Sequence, residues 1–215
     1  MIKFPDPRQS DEHGVVFIGG EPSVENLVAA YSAGIFPWPH KGWPLLWFCP
    51  WERGVLHFDL FKIPRSTQKE LRKTNFRMTV DQSFDDVIDH CVSQKRGDQS
   101  GTWITPDIVK GYKDLFRAGH AHSIECWRDD QLVGGLYGVY VNGVFSGESM
   151  FFKESGASKA CLIHAVEILK KMGHTWFDIQ MVTSVLELFG GVYVSRNDYL
   201  RLLKSTQAKK ITWHV

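Results

Sequence analysis

The stretch from His120 to Met150 constrains the fold more than any other part of the chain. Apolar runs cover His120 to Trp127, Gln131 to Val141 and Val144 to Met150, and the first two are parted only by Arg128-Asp129-Asp130. A polar break that short predicts paired antiparallel strands, with the third run continuing the sheet. Ser158 then suits a helix N-cap, with Leu162, Val166 and Leu169 on one face, Lys170 and Lys171 in the last turn and Gly173 as the stop. Trp176 to Val182 reads as a further strand. A meander followed by a helix and a strand points to a mixed sheet.

The flanking segments are shorter. Val15 to Ile18 is a brief apolar run, and Ser23 is placed to cap a helix with Leu27, Ala30 and Tyr31 on one face and Gly34 at its end. Two prolines in Ile35-Phe36-Pro37-Trp38-Pro39 are expected to forbid regular structure. Leu45 to Phe48 reads as a short strand or buried segment, and Val55 to Phe61 alternates as a strand. Ser66 is expected to cap a basic helix to about Lys73, Phe76 to Val80 to form a strand, and Ser83 to start a helix through Cys91. A loop over Ser93 to Gly101 precedes a helix opened by Thr105-Pro106. After Val182 come a short helical piece, a strand near Val192 to Val194 and a basic helix from Asn197. The order is α+β, with a small N-terminal domain over residues 1–61 and a larger domain with a mixed sheet over residues 62–215.

Composition narrows the function classes. The chain has 215 residues and a net charge of +1, so no global field draws it onto a polyanion, and any nucleic-acid contact has to come from a local basic patch. Cys49, Cys91, Cys126 and Cys161 are widely spaced without a CxxC pair, which argues against a disulfide framework or structural zinc and for a cytoplasmic protein. No stretch approaches the roughly 20 apolar residues of a membrane span, and no signal peptide is evident. His120 and His122 share a strand face but lack a third ligand, so no metal site is expected. Gly134-Gly135 and Gly190-Gly191 lack the spacing of a phosphate loop.

Four runs carry a specific resemblance. They are Ala30 to Trp38, Gly101 to Thr105, Gly119 to Glu125 with Leu132 to Gly138, and Phe145 to Phe151 with Ala157-Ser158-Lys159. Together, in this order, they resemble the leucyl/phenylalanyl-tRNA–protein transferases over roughly residues 15–203. The resemblance implies a small N-terminal domain on an acetyltransferase-like (GNAT) domain. It also implies transfer of leucine or phenylalanine, sometimes methionine, from aminoacyl-tRNA to the α-amine of an N-terminal arginine or lysine. The acceptor protein would thereby be marked for degradation. No cofactor is implied, because the ester is already activated, and a monomer is expected.

Within that resemblance the site residues follow. Asp178 and Gln180 match the family's D-x-Q pair; lying i and i+2 on a strand, they are expected on one face. Asp178 would orient Gln180, which contacts the reacting amine or ester, or would itself help position or deprotonate the acceptor amine. The terminal ribose hydroxyl of the tRNA could share the proton transfer. Leu136, Phe145, Leu162, Leu169 and Phe177 match the donor side-chain pocket, although each also suits plain core packing. Glu148, a carboxylate amid apolar strands, needs a partner: either the donor's free α-amine or a backbone turn. Trp38 and Trp103 match positions that stack or pack at the terminal adenosine, with Tyr31 and Tyr112 near them. Thr183 stands at the family's Asn/Thr position. Lys62, Arg65, Lys69, Arg72 and Lys73 are candidates for acceptor-stem phosphates or a solvated helix face.

The chain departs from the family pattern after Gln180, where Val185, Leu188 and Gly191 replace a histidine, a serine and an alanine. Cys49 stands where a serine is common. Two rival readings therefore stay open: an acyl-CoA-dependent N-acyltransferase, for which no pyrophosphate loop is found, and a non-catalytic tRNA-end-binding paralogue.

Overall fold

The protein is described by a computed structural model over residues 1–94 and 102–214. Most of the loop expected over Ser93–Gly101, and Gly101 of the second motif, lie outside the described residues. Among the described residues the chain folds as mixed α and β around a seven-stranded sheet, beside a three-stranded sheet.

The smaller sheet comes first. β1 (Val15–Ile18) pairs antiparallel with β3 (Leu46–Phe48), and β3 pairs with β2 (Phe36–Pro37). The prolines do not forbid pairing here. β2 is an edge strand, so the nitrogen that Pro37 cannot donate has no neighbour to serve. Between β1 and β2, α1 (Val24–Ser32) is capped by Ser23, whose side chain accepts from Asn26 N, and Gly34 at φ 80° turns the chain out of the helix.

β4 (Glu52–His57) starts three residues earlier than its alternation suggests. It precedes the expected division at residue 61, yet it is an interior strand of the large sheet, between β10 (Gly191–Ser195) and β9 (Trp176–Gln180). The meander forms as expected: β5 (Arg77–Val80), β6 (Ala121–Arg128), β7 (Gln131–Val141) and β8 (Val144–Phe152) pair antiparallel in turn. β8 and β9 run parallel, joined by α5 (Ala157–Lys171).

Two helix starts differ from expectation. α2 (Arg65–Leu71) begins after Pro64, so Ser66 lies inside it. α5 begins after Gly156 at φ 86°, and Ser158 is buried in its first turn. A Cβ on Gly134 would sit 2.6 Å from Ala157 Cβ. The close seating of α5 on β7 therefore sets that helix start, ahead of any capping hydroxyl.

The sheet buries both faces. On one lie α1, α3 (Phe84–Ser93) and α4 (Pro106–Arg117), packed with Tyr137, Val139 and Phe151. Thr105 caps α4 as expected, accepting from Ile108 N. α7 (Arg196–Gln207) covers β4 through Tyr199 and Leu203, against Val55 and Val144. α5 packs on the opposite face with Leu136, Phe145 and Phe177. Among the described residues, no helix is long and apolar enough to cross a membrane.

Candidate active site

The site forms where the sheet opens. β8 and β9 pair in register at one position, Ser146 with Asp178. Each strand carries an irregularity beside that pair. Tyr137 faces Ser149 and Gly138 faces Gly147, so Glu148 is the extra residue of a bulge. Gly54 faces Gln180 and Val55 faces Asp178, so Ile179 is the extra residue on β9. Bulges bend a strand and re-aim a side chain. Here they direct Glu148 and Gln180 toward each other, with Gln180 Nε2 donating to Glu148 Oε1 at 2.6 Å. Gln180 reaches this position with φ 57°, a left-handed backbone that is uncommon without glycine. Gly54 permits it, because a Cβ there would lie 2.8 Å from the Met181 carbonyl carbon.

Asp178, at the position where β8 and β9 pair, is fully buried. Arg53 donates to it twice, Nε to Oδ1 at 2.8 Å and Nη2 to Oδ2 at 2.6 Å. Ser146 Oγ and Tyr199 Oη donate to Oδ2 at 3.1 and 3.0 Å, and Gln180 N donates to Oδ1 at 2.9 Å. The Arg53 guanidinium lies between the Phe36 and Tyr199 rings, 4.4 and 4.6 Å from their centroids. Burial works against its charge, but Asp178 outweighs that and holds the proton more firmly than in water. With five donors on two oxygens, Asp178 is a saturated acceptor.

Glu148 has different surroundings. Tyr31 Oη, from α1, donates to Oε1 at 2.7 Å, and Tyr112 Oη, from α4, donates to Oε2 at 3.0 Å. The two phenol oxygens lie 2.6 Å apart. Three contacts thus share two phenolic protons, and a proton on Glu148 completes the set. Desolvation pushes the Glu148 carboxyl up to about 7, against the pull of the two tyrosine hydrogen bonds. Desolvation, followed by the Glu148 charge, raises both phenols well above their ordinary value.

Asp178, Gln180, Glu148, Tyr31 and Tyr112 therefore form one connected network. Leu136, Phe145, Leu162, Leu169 and Phe177 also come together, in a single apolar cluster against α5 on the other face of the sheet. Trp38 packs on Phe36 and Phe48 in the small sheet, ring centroids 6.4 and 5.8 Å away. Trp103 lines a cleft between the starts of α1 and α4, with His40 and Trp43. Thr183 stands apart from the network, its hydroxyl capping α6 (Ser184–Leu188) by accepting from Leu186 N. Lys62, Arg65, Lys69, Arg72 and Lys73 are all exposed, on and beside α2. His122 is held by Asp81, Nδ1 to Oδ2 at 2.7 Å.

Sequence reasoning missed Arg53, Ser146 and Tyr199. The available signal was a carboxylate among Trp176, Phe177 and Ile179: a buried charge requires a counter-charge. Nothing local says that the partner stands 125 residues earlier in the chain.

Comparison with known proteins bears on the whole chain. Residues 55–204 match the family model described as leucyl/phenylalanyl-tRNA protein transferase, and residues 20–50 match that of its N-terminal domain. The chain is 43% identical to the leucyl/phenylalanyl-tRNA–protein transferase of Syntrophus aciditrophicus, over 96% of this chain and 86% of that one. It is 43% identical to the protein of the same name from Flavobacterium johnsoniae, over 94% and 95%, and 40% identical to that from Desulfotalea psychrophila, over 99% and 95%. Among solved structures, a conserved protein from Staphylococcus epidermidis matches with a TM-score of 0.44 at 10% identity, over 67% of this chain and 57% of that one, too slight a likeness to define a fold. The protein is accordingly an aminoacyltransferase. It belongs to the leucyl/phenylalanyl-tRNA–protein transferase family.

Proposed function

We propose that this chain transfers leucine or phenylalanine from aminoacyl-tRNA to the N-terminal amine of an acceptor protein, and that the opening between β8 and β9 is where the bond forms. The observation that carries the reading is the Gln180–Glu148 bridge across that opening. The polar network lies on one face of it and the apolar cluster on the other. A donor ester lodged in the opening has its side chain among Leu136, Phe145, Leu162, Leu169 and Phe177, and its carbonyl beside the Gln180 amide. The acceptor nitrogen bonds to that carbonyl carbon, the ester bond to the tRNA breaks, and the ribose oxygen leaves with a proton. Glu148 is the group suited to take the amine's proton, because its affinity lies near neutrality. Asp178, filled by five donors, orients Gln180 through the backbone N–H.

The acceptors we propose begin with arginine or lysine, and the transferred residue marks them for degradation in the cytoplasm. We place the domain division near residue 51, because β4 belongs to the large sheet. The acetyltransferase-like assignment of that domain draws support from the parallel β8–β9 pair, which parts around the site. The protein works as a monomer in this reading. One assay separates the rivals: charged Leu-tRNA or Phe-tRNA with a peptide beginning in Arg or Lys. Product made only with acyl-CoA, or binding without product, overturns the proposal.

Two measurements probe the parts. If ionised Glu148 is the proton acceptor, kcat rises about tenfold from pH 6 to 8 with a midpoint near 7. Stability moves the other way. The folded value lies above the ordinary 4.5, so the folded state holds a proton that the unfolded state releases between those values. The contribution is present at low pH and is lost as pH rises through 7. Glu148→Gln flattens both limbs; an unchanged kcat–pH curve in that variant removes Glu148 from the role. For the basic set, changing Lys69, Arg72 and Lys73 together to Ala lowers the log–log salt slope of tRNA binding by roughly 2 to 3. An unaltered slope assigns these side chains to solvent alone.

A further inference from the structure

The match to the family model ends at residue 204, and beyond it the chain returns to the sheet. Past α7, Ile211 lies against the β7–β8 turn, where a Cβ on Gly143 would sit 3.1 Å from Ile211 O. Tyr140 Oη donates to Ile211 O at 3.0 Å. Two residues on, the half-buried Trp213 stacks flat on the His122 ring, centroids 3.9 Å apart and planes 14° apart. Asp81 anchors that imidazole, so the platform is fixed. Trp213 also stacks on Phe145 at 5.9 Å and 20°, and meets Tyr140 edge-on at 5.3 Å.

Phe145 is thus held from two sides. Its ring meets Phe177 at 5.7 Å and 81°, and Trp213 lies on it from outside the sheet. Phe145 and Phe177 each stand one residue before the Ser146–Asp178 pair, whereas Glu148 and Gln180 stand two residues after it. The two phenylalanines therefore stand three residues along the strands from the Glu148–Gln180 end, at which a donor side chain enters in the reading above. They form the floor of the pocket, and Trp213 is what stops Phe145 from moving back. Both rings are nearly inaccessible, at 2% and 1% exposure, so the depth of the floor depends on what supports them.

We propose that Trp213 is a positioning residue that sets the depth of the donor pocket through Phe145, and so sets the balance between leucine and the larger phenylalanine. The inference rests on the pocket assignment made above. Without the indole, the Phe145 ring swings into the vacated space. The pocket lengthens, a flat ring gains room, and leucine leaves a void beneath it.

The test is the ratio of kcat/KM for Phe-tRNA over Leu-tRNA, with one peptide beginning in Arg. In Trp213→Ala the ratio rises about 10-fold over wild type, the scale of discrimination that one or two methylenes provide in an apolar pocket. Trp213→Leu gives an intermediate rise and decides the matter if the alanine variant does not fold. A general loss of structure lowers both rates and leaves the ratio unchanged, so the ratio reports the floor specifically. Phe145→Leu separates the two layers of the argument. If Phe145→Leu shifts the ratio while both Trp213 variants stay within about twofold of wild type, the pocket stands and the role of Trp213 falls. If neither position shifts it, the pocket assignment falls and takes this proposal with it.

Discussion

Arg53→Met will cost the folded protein about 3–5 kcal/mol, read as a lower urea midpoint at unchanged slope. Both members of the Arg53–Asp178 pair are out of water, at 1% and 0% side-chain exposure. Removing the cation leaves a carboxylate with three neutral donors, Ser146 Oγ, Tyr199 Oη and Gln180 N, and no counter-charge. Methionine also vacates the space between the Phe36 and Tyr199 rings. The loss comes chiefly from the stranded charge, so Arg53→Met combined with Asp178→Asn should be less damaging than Arg53→Met alone, a non-additivity expected of direct partners. A loss below about 1 kcal/mol for Arg53→Met, the range of exposed pairs, would contradict the burial on which the account of Asp178 depends.

Gln180→Ala will lower kcat by about 10²–10³-fold with little change in KM, the effect of losing one fixed donor at a developing oxyanion. The side chain is buried at 8% exposure, and its Nε2 donates to Glu148. The melting temperature should fall modestly, because alanine keeps the left-handed backbone and leaves Glu148 without that donor. Single-turnover transfer from Phe-tRNA checks the rate, and saturation with donor checks the binding. A kcat within about threefold of wild type would remove Gln180 from the chemistry and leave it a tie between two strands.

Much of this architecture was legible where local rules act alone. The antiparallel meander follows from three apolar runs and short breaks, and the caps at Ser23 and Thr105 work as their positions suggest. The rules failed where a distant neighbour decides. Ser158 resembles a cap, but the seating of α5 on Gly134 starts the helix earlier. Pro37 resembles a breaker, but an edge position makes it harmless. The site divides in the same way. The i, i+2 spacing of Asp178 and Gln180 does put both into one polar network, yet by a bulge at Ile179 and a left-handed residue, not by a regular strand. Alternation cannot disclose a bulge, because the extra residue is defined by the strand opposite. The counter-ion Arg53 was hidden for the same reason: it becomes a neighbour of Asp178 only once β4 and β9 pair.

The left-handed backbone at Gln180 has an evolutionary corollary. A residue held there costs on the order of 1 kcal/mol or more that glycine would not incur. Selection for heat resistance alone would favour glycine or asparagine at such a backbone, and on the role proposed for Gln180 that gain in endurance would come with a loss of turnover. On that proposal the glutamine stands against its own conformational preference, and a change at this codon would separate descendants that still join peptides from those that merely persist.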